Sequence, residues 1–199
     1  MNRREVIQKS VLALGYALSA PALAGVLKGC APKPDLNYKP VFLSEEQAAQ
    51  VAEIAEIILP RTSTPGAKDV GVPSFIDTML HEIYSKEDQT KFLSGLATFD
   101  EEAKNKYGSN FLECEPEQQL EFVRLENERA LGGGMSVSEG WWAAGKGNDR
   151  PFILKMKELT ILGFFTSEPG ATKVLQYNPV PGPYKGCVPL AEVGKAWAT

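Results

Sequence analysis

Any metal or nucleophilic chemistry in this chain must draw on three cysteines, one histidine and a larger supply of carboxylates. The cysteines are Cys30, Cys114 and Cys187, and the histidine is His81. Covalent haem attachment needs Cys-x-x-Cys-His, which does not occur, and an iron–sulfur cluster usually takes four thiolates. Zinc takes three or four Cys, His, Asp or Glu ligands. His81 stands beside Glu82 on an amphipathic stretch and reads as a half-exposed surface residue. A Ser-His-acid triad would have to use His81, yet no serine sits in a Gly-x-Ser-x-Gly elbow. The carboxylates Glu45/Glu46, Glu101/Glu102 and Glu126/Glu128 fall where helices are expected to face water. Gly132-Gly133-Gly134 and Gly145-Lys146-Gly147 match neither a Walker loop nor a dinucleotide fingerprint, and read as connections between helices. The expectation is a chain with no catalytic residue, metal site or cofactor site of its own.

The chemistry that stands out belongs to export. Asn2-Arg3-Arg4-Glu5-Val6-Ile7 is a twin-arginine start, Val11 to Leu27 carries no charge, and Leu27-Lys28-Gly29-Cys30 closes the segment. Residues 1–29 read as a signal of the twin-arginine type, a route for folded proteins, with Cys30 as the lipid attachment site. A spanning helix wants roughly 20 predominantly apolar residues. The uncharged run is shorter and diluted by glycine, alanine and proline. Cleavage after Ala22-Leu23-Ala24 is the alternative, leaving a chain that begins at Gly25. Cysteine parity favours Cys30. Exported domains usually pair their thiols, and lipidation leaves an even two, Cys114 and Cys187. Their bridge would tie the C-terminal tail to the turn before a fourth helix, and is expected to stabilise by about 4 kcal/mol in the chain-entropy picture.

The whole chain carries a formal charge of −4. Residues 1–29 hold four basic side chains against one acidic, so the remainder carries −7. Nucleic-acid binding needs clustered lysine and arginine, and no such cluster is present. Residues 30–43, with Pro32, Pro34 and Pro40, read as an extended tether, and residues 44–199 as one domain.

Helical signals run through that domain. Ser44-Glu45-Glu46-Gln47 is a capping box, followed by Ala48, Val51, Ile54, Ala55 and Ile58 on one face until Pro60. Pro73 suits a first helical position, before Phe75, Ile76, Met79, Leu80 and Ile83. A third helix is expected from about Glu87 to Tyr107, lined by Phe92, Leu93, Leu96, Phe99 and Ala103 and closed by Gly108. A fourth, Glu117 to Leu131, turns Leu120, Phe122 and Val123 inward. A fifth runs from Pro151 through Phe165, with Phe152, Met156, Leu159, Leu162 and Gly163 within it. Pro169, Pro179, Pro181, Pro183 and Pro189 forbid a long helix in the tail. The expected fold is all-α: a small bundle of about five helices with a long irregular, proline-rich C-terminal segment. Trp141-Trp142, in a glycine-bordered loop, is either a buried plug or an aromatic anchor for a partner protein.

Four blocks of this sequence resemble the gluconate 2-dehydrogenase subunit 3 family. They are Phe42–Gln47 through Ile57-Ile58-Leu59-Pro60-Arg61; Pro65-Gly66-Ala67 with Gly71–Asp77; Gly95-Leu96, Phe99-Asp100, Tyr107-Gly108 and Phe111-Leu112; and Glu158–Gly170 with Tyr177, Pro181-Gly182 and Tyr184-Lys185-Gly186. The resemblance implies a non-catalytic small subunit that accompanies a large FAD-dependent flavoprotein of the glucose–methanol–choline class, often with a c-type cytochrome. It implies that the small subunit's signal takes the folded flavoprotein into the periplasm. The lipobox, the cysteine pair and Asn178-Pro179-Val180-Pro181 depart from the family pattern, and with them a lipid on Cys30 would tether the complex to the membrane. Trp141, Trp142, Tyr177 and Tyr184 are then the candidate partner-facing residues. The rival expectation is a free-standing exported lipoprotein that binds a ligand or a neighbouring protein.

Overall fold

The computed structural model describes residues 36–132, 150–176, 180, 182–183 and 186–198. Helix α1 spans Glu45–Ile58, α2 Val72–Glu82, α3 Lys86–Tyr107, α4 Pro116–Gly132 and α5 Phe152–Thr166. A 3-10 turn at Phe111–Glu113 precedes α4. In the tail, a π turn at Gly170–Val174 and a short helix α6, Leu190–Val193, follow α5. Among the described residues there is no strand, only an isolated parallel bridge between Gln176 and Trp197. The structure is thus the all-α bundle that the sequence implies.

Local chemistry sets the helix limits. The capping box is formed at α1: Ser44 Oγ accepts from Gln47 N, and Gln47 Oε1 accepts from Ser44 N at 3.0 Å. Those bonds satisfy amide groups that a helix start otherwise leaves unpaired. Pro73 falls in the first turn of α2, where its missing N–H costs nothing. Gly108 closes α3 at φ 82°, a left-handed conformation that a β-carbon would strain. Gln89, buried in α3, donates to the Leu80 carbonyl at 2.6 Å and so ties α3 to the end of α2.

Helix α5 is central. It packs against α1, α2, α3, α4 and the π turn. Ile153, Met156, Leu159, Gly163 and Phe164 are its buried apolar positions. Phe99 of α3 joins the layers, with ring centroids 5.1 Å from Phe111, 4.7 Å from Phe122 of α4 and 5.7 Å from Phe152 of α5. Such tilted and edge-on pairs contribute beyond the area they bury.

Two apolar residues expected to face the core do not. Ile83 lies one position past the end of α2 and is exposed. Leu120 is likewise exposed. In α4 the inward positions belong to Phe122, Val123 and Ala130. At about 100° per residue, Leu120 stands roughly a quarter-turn round from their mean direction.

Two glycines mark close helix approaches. A β-carbon on Gly95 would meet Phe152 Cβ at 2.8 Å, and one on Gly163 would meet the Phe75 ring at 2.6 Å. The Phe75 ring can swing aside, whereas Phe152 Cβ is fixed to its backbone. Gly95→Ala is therefore expected to destabilise by about 1–3 kcal/mol through forced separation of α3 and α5, read as a lowered urea midpoint. An unchanged midpoint would mean that this crossing is loosely held.

Candidate functional site

Two polar arrangements stand out in the bundle. The first is a carboxylate clamp at the start of the described chain. Asp77, on α2, is 1% exposed. Its Oδ2 accepts from Val41 N at 2.7 Å, and its Oδ1 from Phe42 N at 3.1 Å and Leu43 N at 2.8 Å. Three successive amides thus converge on one carboxylate, which replaces the water that an ionised group loses on burial. Leu36, Tyr38 and Phe42 pack against the core beside it. Tyr38 is pushed up to about 12 by burial and by the Asp77 charge. The stretch read as tether is therefore fixed to α2 from Leu36 onward.

Nearby, a pair of carboxylates braces the loop between α1 and α2. Glu56 accepts from Arg61 N at 3.0 Å and Lys68 N at 2.9 Å. Asp69 accepts from Gly66 N at 2.8 Å and pairs with the Arg61 guanidinium. These groups act on backbone, and their chemistry is structural.

The second arrangement is a cleft of about 740 Å³ between α3, the end of α4 and the start of α5. Phe92, Phe99 and Phe152 form its apolar floor, and charged side chains rim it. Arg129 Nη1 lies 2.9 Å from Glu102 Oε2 and 2.8 Å from Glu126 Oε1. Arg150 Nη1 lies 2.9 Å from Glu158 Oε2, and Lys155 Nζ sits 5.0 Å over the Tyr84 ring. Burial first, and then the charge of Glu102, push Glu126 up from the ordinary carboxylate range, against the opposing pull of Arg129. The arrangement sets Arg129 between two carboxylates beside an apolar floor. Among the described residues no group of three or more His, Cys, Asp or Glu side chains is placed to hold a metal. No described helix is long and apolar enough to cross a membrane.

Of the residues singled out from sequence, Arg3, Arg4, Cys30, Trp141, Trp142, Tyr177 and Tyr184 lie outside the described residues. His81 is on the surface, its Nδ1 2.8 Å from Glu82 Oε1. The Cys114–Cys187 bridge is not formed. Both cysteines are free thiols, Cys114 buried and Cys187 exposed. The reason is local: Cys114 closes the 3-10 turn, and its Sγ lies 3.4 Å from the Asn110 carbonyl and 3.7 Å from that of Ser109. The thiol serves as a weak donor within its own turn.

Sequence reasoning missed Asp77 and misplaced Glu126, which was expected to face water. Both carried a signal. Asp77 falls beside Ile76 and three before Leu80, on the buried face of α2. Glu126 falls three after Val123 and four before Ala130, which places it on the inward face of α4.

Residues 45–182 match the family described as gluconate 2-dehydrogenase subunit 3. The chain belongs to this family. The match starts at the first residue of α1 and takes in all five long helices, the loop brace, Asp77 and the cleft. Cys187 and α6 lie beyond it. Membership makes the chain a component of a multi-subunit dehydrogenase. No curated protein and no solved structure matches the chain.

Two substitutions test the polar groups. Asp77→Asn keeps the shape but loses the charge and sets an amide donor against amide donors. It is expected to cost roughly 3 kcal/mol of stability in urea titrations, because each N–H bond to a charged group contributes about 1.5–3 kcal/mol. For Glu126, a folded-state value above the unfolded one means stability that is present in acid and lost as pH rises through the raised value. Glu126→Gln is fixed in the neutral form. Its stability relative to the parent chain should therefore climb as pH rises through the carboxylate range, read as melting midpoints between about pH 4 and about pH 8. A difference independent of pH would show that Glu126 titrates as an ordinary carboxylate.

Proposed function

We propose that this chain is the non-catalytic small subunit of a periplasmic FAD-dependent dehydrogenase of the glucose–methanol–choline class, acting on a sugar or glycoside. The observation that carries the reading is the family match across the entire helical bundle. In this reading the flavoprotein partner holds FAD, and a c-type cytochrome accepts its electrons. The small subunit stabilises the flavoprotein and supplies its route out of the cytoplasm.

The export role rests on Arg3-Arg4 and the uncharged run behind them. A pathway for folded proteins suits a flavoprotein loaded with FAD before transport. A lipid on Cys30 would make this subunit the anchor of the complex. The Asp77 clamp then has a use. Only the six residues from Cys30 to Asp35 precede the packed Leu36, a reach of roughly 20 Å at full extension. The bundle would be held close to the bilayer.

Replacing both Arg3 and Arg4 by Lys keeps the charge and removes the pair that a twin-arginine translocase recognises. The expected result is that this chain and a flavoprotein partner are both retained in the cytoplasm, followed by cell fractionation and flavin absorbance. A flavoprotein that still reaches the periplasm at the parental level would end the escort role.

A further inference from the structure

A shallow groove, which shares Ile153 with the charged cleft, lies between the end of α1, α4 and α5. It encloses about 200 Å³, room for one or two large side chains. Ile57, Ile58, Leu120, Val123 and Ile153 supply its apolar wall. Leu120 is 48% exposed, a large apolar side chain left in water at the mouth. Ile161, 40% exposed, stands one turn beyond Lys157 on α5 and extends the apolar strip.

The polar part of the lining is one-sided. Among the described residues it consists of Arg124, Asn127 and Lys157, with no carboxylate. Lys157 Nζ is held 3.1 Å from Asn127 Oδ1, which fixes that cation at the rim. Arg124 forms no ion pair among the described residues. On α4, Glu117, Glu121 and Glu128 lie further round the helix than Arg124, and Glu121 is engaged by Lys106 of α3 at 2.9 Å. The groove is thus a positively rimmed apolar recess on a domain whose charge without the signal is −7.

The geometry points to this groove as the docking site for the dehydrogenase's large subunit, which would insert an apolar side chain flanked by carboxylates. The inference rests on the subunit reading above and adds to it the surface and the chemistry of contact. A recess that takes a whole side chain and sheds its water is the usual form of an interface hot spot. The two cations select an acidic surround, and the surrounding acidic surface disfavours the same partner elsewhere.

The test uses the full-length chain, tagged and expressed in its native host, with Leu120→Glu and Arg124→Glu as separate variants. Thr172→Glu, an exposed position on the π turn, is the control. The parent chain and the control are expected to bring down a flavin-containing dehydrogenase subunit. Each groove variant should recover about tenfold less of it, the cost of a hot-spot contact. Both positions are on the surface of α4, so melting midpoints should stay at the parental value. Recovery by the parent chain should also fall as salt is raised, because an exposed charge contact is screened. Equal recovery by parent and both groove variants overturns the inference and leaves the subunit reading intact. Absence of any dehydrogenase subunit with the parent chain removes the reading on which the groove rests. Self-association of the parent chain that Leu120→Glu abolishes would assign the groove to a second copy and overturn the inference as well.

Discussion

Helix α5 carries apolar residues on most sides, interrupted by Lys155, Lys157 and Glu158, and the bundle is the arrangement that covers most of them. Ile153, Met156, Leu159 and Phe164 face inward, while Leu154, Ile161, Leu162 and Phe165 occupy the remaining arc. A helix of this composition cannot rest on a surface with one stripe buried. Helices α1 to α4 and the π turn each take a share of it. Gly95 and Gly163 let α3 and Phe75 come close enough to do so. The cover is incomplete at Ile161, Leu162 and Phe165, which stay exposed. In a subunit of a larger assembly, contiguous apolar residues at a surface have a use that a solitary protein lacks.

Three of the four buried polar residues, Asp77, Gln89 and Thr160, are engaged with backbone among the described residues. Asp77 takes the amides of residues 41–43, Gln89 takes the Leu80 carbonyl, and Thr160 returns its hydroxyl to the Met156 carbonyl at 2.7 Å. Each bond fixes a chain direction: the approach to α1, the turn from α2 to α3, the interior of α5. Burying a charge is costly unless hydrogen bonds replace its water, and Asp77 meets that condition with three donors. The consequence is mechanical. The chain upstream of α1 is fastened at a defined place on α2, so a pull on the N-terminus is borne by the bundle and not by a loose end.

Much of this fold was legible in the sequence because its signals are local. The Ser44–Gln47 box, Pro73, Gly108 and Pro151 mark ends by their own backbone preferences, and all four appear where those preferences put them. Inward faces were less legible. Spacing identifies a stripe, but a tertiary partner decides how far the helix is rotated, and Phe111 and Phe99 turn α4 toward Phe122 at the expense of Leu120. The Asp77 clamp joins positions 34 to 36 residues apart, beyond the reach of any helical period. Cys114 and Cys187 invited a bridge by parity alone, yet parity carries no geometry. The tail shows both sides: its prolines do prevent a long helix, while Gln176 still gathers it through bonds to Ala196 and Ala198 that no pattern announced.

Charge distribution separates the two recesses of the bundle. In the cleft, Arg129 faces Glu102 and Glu126, and Arg150 faces Glu158, so cations and carboxylates neutralise one another across its rim. In the groove, Arg124 and Lys157 stand with no acid among the described lining residues. Neutralised charges exert little force at a distance, and residual positive potential on an acidic body exerts a directional one. An approaching acidic surface would be repelled by the domain's net negative charge and attracted at this rim. Within about 10 Å, the screening distance at moderate salt, that difference sets orientation before any apolar contact is made. Apolar insertion then supplies the holding energy at a position the charges have already chosen. Leu120 is exposed, and Arg124 forms no ion pair among the described residues. Together they are intelligible as two halves of one recognition surface.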